Sequence, residues 1–82
     1  MEIIAIIHPF VMAQEFCIFD GENYLETYTC NLENMNQKIY EVCQTKGIDK
    51  VHFHGGQLYA LKFRDELISN KFGNKRIEVV ID

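Results

Sequence analysis

Apolar and polar positions divide the chain into stretches of two periods. Ile3 to Ile7 is an unbroken apolar run of β-branched residues around Ala5, the pattern of a central strand covered on both faces. His8-Pro9 ends it, because proline cannot continue a central ladder, and Phe10 to Gln14 reads as a loop. Glu15 to Asp20 alternates, with Phe16 and Ile18 on one face and Cys17 and Phe19 on the other. Asp20-Gly21-Glu22-Asn23 is a turn signal. Tyr24 to Cys30 alternates again and is rich in Tyr and Thr, as strands are. It sets Tyr24, Glu26, Tyr28 and Cys30 opposite Leu25, Thr27 and Thr29, and the polar-leaning face predicts an edge strand.

The period then lengthens. Asn31 is a good N-cap with Glu33 in the first turn, and Leu32, Met35, Ile39, Val42 and Cys43 follow the three-and-four spacing of an amphipathic helix. Lys46 and Gly47 supply its stop. Val51 to His54 predicts a fourth strand. Gln57 to Phe72 predicts a second helix, with Leu58, Leu61, Leu67, Ile68 and Phe72 apolar and Gly73 as its cap. Arg76 to Ile81 closes as a β-branched fifth strand. The result is a single α/β domain over 1–82, in the order β-β-β-α-β-α-β. The first three strands form an antiparallel meander, and right-handed crossovers give the mixed five-stranded sheet order 3-2-1-4-5. That order makes the first strand central.

Composition narrows the function classes. The chain has 82 residues, 48% apolar and 24% charged, the profile of a small globular domain rather than a disordered segment. No apolar run approaches the roughly 18 residues of a membrane span. The N-terminal run lacks the basic region of a signal peptide, so a cytoplasmic location is expected. The net charge of −4 argues against a general electrostatic grip on nucleic acid. Cys17, Cys30 and Cys43 lie too far apart for metal-finger spacing. All three fall on apolar patterns, as reduced, buried thiols do.

The strand order resembles the minimal ribonuclease H-like superfamily fold, a likeness of topology over nearly the whole chain. The nucleases of that superfamily hold two metal ions on carboxylates, one Asp within the first strand and an acid near the end of the fourth. Here the first strand reads Ile3-Ile4-Ala5-Ile6-Ile7 and the fourth ends His54-Gly55. Without those carboxylates there is no two-metal clamp for in-line displacement. The resemblance therefore implies the fold in a catalytically inactive form, and no catalytic residue or cofactor is carried over.

The chemically suggestive stretch is His52-Phe53-His54-Gly55-Gly56-Gln57-Leu58, where the fourth strand hands over to the second helix. Strand order reverses between strands one and four, and ligands of open α/β sheets favour that crevice. The topology brings His8, Asn31, His54, Gly55, Gly56 and Gln57 to this edge, with Asp82 or Gln14 as further candidates. The leading reading is that the glycines make a tight turn. A second is a small anion or nucleotide-like ligand held by His54 and the Gly55-Gly56 backbone at a helix N-terminus; Gly-Gly-Gln is far weaker than a dinucleotide fingerprint or a phosphate loop. A third is a metal held by His8 and His54 with a carboxylate. His52 shares the face of His54, though two imidazoles alone make no site.

No nucleophile, base and orienting group converge in this pattern, so a non-enzymatic role is expected. Tyr24 and Tyr28 on the edge strand are candidate anchors for a protein partner or a second copy. A structure-selective nucleic-acid binder is the weaker alternative. Heavy use of Ile, Lys, Asn and Glu suits an accessory protein of a phage or mobile element.

Overall fold

A computed structural model describes residues 1–8 and 10–82. The predicted end of the first strand at Pro9 lies outside the described residues. The elements are β1 (Glu2–Ile6), β2 (Ala13–Asp20), β3 (Asn23–Asn31), a 3₁₀ turn (Leu32–Asn34), α1 (Met35–Lys46), β4 (Lys50–His54), α2 (Gln57–Ile68) and β5 (Glu78–Ile81). The sheet order is β3-β2-β1-β4-β5. The first three strands pair antiparallel, and β4 runs parallel to both β1 and β5.

The two crossovers step in the same direction along this sheet, so right-handedness places both helices on one face. On that face Ile3, Ala5, Phe16, Val51 and Phe53 meet Ile39, Cys43, Ala60 and Phe63 in the core, all with 0% exposure. The opposite face carries no helix. The expectation that the first strand is covered on both faces is therefore corrected: Ile4 is half-buried, and Ile6 is 53% exposed. An uninterrupted apolar run does not distinguish one covered face from two.

Three further details depart from the periodicity. A bulge between Ile18 and Phe19 pairs Ile18 with Glu26 and Phe19 with Tyr24, leaving Leu25 as the extra residue. One extra residue moves a side chain to the other face. Tyr24 thus stands on the open face and Tyr28 on the covered one, where it stacks on Phe16 at 5.3 Å.

The second departure is the length of α2, which ends at Ile68 rather than Phe72. Asn70, with φ 56°, is the left-handed residue. Lys71 N–H donates to Glu66 O at 3.0 Å and Asn70 N–H to Leu67 O at 3.1 Å, the paired bonds of a Schellman cap. Gly73 is no cap. A Cβ there would run into the Tyr40 ring, which also packs on Phe72.

The third concerns which stripe of α2 is buried. Ala60, Phe63 and Glu66 face the core, whereas Leu58 and Ile68 are 80% and 74% exposed. The strand ends also shift by a residue or two, and β2 begins at Ala13 because Gln14 is drawn inward. Gln14 is 1% exposed; it accepts from His8 N–H at 3.0 Å and donates to the His8 and Val11 carbonyls. That buried amide holds the β1–β2 connection.

Candidate functional site

The strand-to-helix junction is built as a turn. Gly55 and Gly56 have φ of 73° and 55°, a left-handed pair that side chains disfavour. Gly56 is the N-cap of α2, and a Cβ on it would collide with the Ile7 side chain. At Gly55 a Cβ would meet only the Ile7 carbonyl, at an ordinary 3.5 Å. The glycines thus serve chain reversal and the close seating of α2 on β1. No side chain caps the helix, and Gln57 and His8 are exposed.

His54 turns elsewhere. In β4, Val51 and Phe53 enter the core, so the two-residue period sends Lys50, His52 and His54 to the open face. β5 pairs Val80 with His52, and Asp82 N–H donates to Phe53 O at 3.2 Å, bringing Asp82 alongside His54. Its carboxylate Oδ2 lies 2.7 Å from His54 Nδ1 and 3.0 Å from His52 Nε2. The imidazoles stack at 4.1 Å with 24° between planes. His52 Nε2 is buried, yet Oδ2 sits off the line of a ring N–H, so this nitrogen has no hydrogen-bond partner.

Of the residues expected at the edge, His54 and Asp82 join this cluster. His8 does not; His52 stands beside His54 and Asp82 instead. Asp82 was placed at the edge by topology, but its convergence with His52 depends on pairing between strands far apart in sequence. The alternation of His52 and His54 was the available signal.

The cluster sits at one end of a broader surface. Strand register lays Thr27, Cys17, Ile4, His52 and Val80 in one row across the open face, and Thr29, Glu15, Ile6 and His54 in the next. Phe19 and Tyr24 continue it, edge to face at 5.9 Å, with Tyr24 58% exposed. Cys17, expected to be buried, is half-buried here and lies 3.4 Å from the Thr27 hydroxyl. Lys50 lies 3.9 Å from Glu2 and 4.0 Å from Glu78. The open face thus carries four carboxylates (Glu2, Glu15, Glu78 and Asp82) against Lys50 as its cation.

No family model, curated protein or solved structure matches the chain. The site has to be read from its own chemistry.

The helical side has a different character. Between α1 and α2 lies a cleft of about 320 Å³ lined by Met12, Leu32, Asn36, Tyr59, Glu66 and Phe72, among others. Glu66, buried at its back, accepts from Lys71 Nζ at 2.8 Å and Asn36 Nδ2 at 2.9 Å. Burial pushes the Glu66 carboxyl up, but those hydrogen bonds and the Lys71 and Lys62 charges outweigh it and hold it below its ordinary range. At the edge strand, the Tyr28 hydroxyl donates to Glu26 at 2.6 Å. That bond pushes the phenol up and, with Lys46, holds Glu26 down. Cys43 is buried among apolar groups, which pushes its thiol up to about 12 and makes it a poor nucleophile.

No helix among the described residues is long and apolar enough to cross a membrane.

Proposed function

We propose that this chain is a non-enzymatic interaction module that docks a protein partner on the open face of its sheet. The observation that carries this is the placement of both helices on one side, which leaves Ile4, Ile6, Cys17, Phe19, Tyr24 and Val80 uncovered or half-covered on the other. All-parallel sheets are covered on both faces; here the parallel strands β1, β4 and β5 of a mixed sheet are covered on one face only, and contiguous apolar surface rimmed by polar groups marks interaction sites. The carboxylates around it select the partner's chemistry: an apolar patch bordered by Lys or Arg. A second copy is the poorer occupant, because two such faces would bring like charges together. The same acids disfavour nucleic acid. Topology supports placing the chain beside the ribonuclease H-like superfamily, in a form without its catalytic carboxylates.

The test compares three forms of the immobilised chain: wild type, an Ile4→Glu, Ile6→Glu double variant, and a Leu58→Glu, Ile68→Glu double variant of the exposed helix stripe. Proteins retained from a lysate should be lost with the sheet variant, kept with the helix variant and released by salt. Their binding should also protect Cys17 from maleimide. Loss with the helix variant alone, or no protection of Cys17, would overturn the reading. Light scattering of the free chain separates the second-copy case, which would show a dimer whose dissociation follows the sheet variant.

A further inference from the structure

We infer that His52, His54 and Asp82 form a binding site for one divalent first-row transition ion, zinc being its best-suited occupant. His52 Nε2, His54 Nδ1 and an Asp82 carboxylate oxygen all lie within 4.8 Å of one another. Ligand atoms about 3–4 Å apart span an ion with bonds of roughly 2.0–2.2 Å; the stacked imidazoles, 24° between planes, turn about their side-chain bonds so that both in-plane lone pairs meet the ion.

Two observations point to an ion rather than to a simple His–Asp pair. First, two ring nitrogens converge on one carboxylate oxygen, and the buried one, His52 Nε2, makes no hydrogen bond to it. An ion accepts the lone pairs of both nitrogens and the oxygen at once, which leaves no orphan. Second, among the described residues no Lys or Arg lies within ion-pairing distance of Asp82; Lys50, on the same face, is engaged by Glu2 and Glu78. The carboxylate has the two imidazoles beside it and no fixed Lys or Arg competing for it among the described residues.

The backbone makes the set rigid where rigidity counts. His52 and His54 are two residues apart in one strand hydrogen-bonded on both sides, and Asp82 follows the neighbouring parallel strand. Two imidazoles with one carboxylate suit zinc, nickel, copper or ferrous iron rather than magnesium or calcium. Three protein ligands leave a coordination position toward solvent, on the face proposed for docking, where water or a donor from the partner completes the shell. The site goes beyond the docking reading and does not depend on it, since its test needs no partner.

Calorimetric titration of the metal-stripped full chain with zinc chloride tests the site. One zinc per chain is expected, with no heat from millimolar magnesium. Long-range proton–nitrogen correlation should show zinc shifting His52 Nε2 and His54 Nδ1, the atoms that face Asp82. His52→Ala, His54→Ala and Asp82→Asn should each weaken binding at least about tenfold, while His8→Ala leaves it unchanged. Circular dichroism checks that each variant is folded, with His52→Gln and His54→Gln as replacements for any that is not. Absence of binding, binding that survives loss of both imidazoles, or shifts at the opposite ring nitrogens would overturn the assignment. Failure here with intact partner capture would leave docking standing, and the converse holds.

Discussion

Phe53 and His52 are neighbours in β4, yet one is wholly buried under two helices and the other stands on an open sheet. The same contrast repeats in β1 between Ile3 and Ile4, and in β2 between Phe16 and Cys17. The covered face concentrates the fully buried apolar side chains, including the Phe53–Phe63 ring pair at 5.6 Å. The open face holds the partly exposed apolar residues, most of the sheet's charge and two stacked imidazoles. One alternating pattern thus divides labour: burial energy on one side, accessible chemistry on the other. The division follows from topology, since two right-handed crossovers in one direction cannot cover both faces.

The largest expected effect tests the covered side. Phe53→Ala removes a fully buried ring and should cost about 3–5 kcal/mol, a large part of the stability of a domain this size. His52→Ala, one residue away, should stay within about 1 kcal/mol. Urea unfolding of both variants reads the difference, and equal costs would erase the contrast.

A smaller effect probes how α2 is seated. Gly56→Ala combines a left-handed backbone with collision against Ile7 and should cost more than about 2 kcal/mol, whereas Gly55→Ala should cost about 1 from conformation alone. Thermal melts rank the two.

Smaller still is the acid limb set by Glu66. Its folded-state value lies below the ordinary 4.5, so its contribution is complete above that pH and is lost as the pH falls through the lowered value. Lys71 is 59% exposed in this pair, which limits the effect to about 0.5–1 kcal/mol. Stability measured from pH 6 to pH 3 should fall less steeply in Glu66→Gln.

The last prediction leaves stability unchanged. Cys17 on the open face should react with a maleimide in the native state, while Cys43, its thiol pushed up to about 12 and fully buried, should react only through unfolding. Mass spectrometry of timed aliquots gives the order, and Cys43 labelling first would contradict the assignment of faces.

Much of the architecture was legible in the sequence. Two periods and the handedness of crossovers lead from residue pattern to strand order, and Gly47 ends α1 as expected. The covering of β1 was not legible, because Ile4 and Ile6 are apolar without being buried. Tyr24 and Tyr28 separate through a bulge at Leu25 that no turn residue announces. Ser69 and Asn70 end α2 with a left-handed cap before the glycine that periodicity favoured. The cluster was half visible, as the His52–His54 alternation; Asp82 joins it through a strand pairing that local pattern does not encode.

The most direct test of the division replaces Ile4 and Ile6 together by Thr and measures unfolding in urea. Both side chains leave the open face, and both remain compatible with a strand. The double variant should unfold within about 1 kcal/mol of wild type, with partner binding lost. A loss of several kcal/mol would show that these side chains are core, and that the open face is part of the folding interior rather than a working surface.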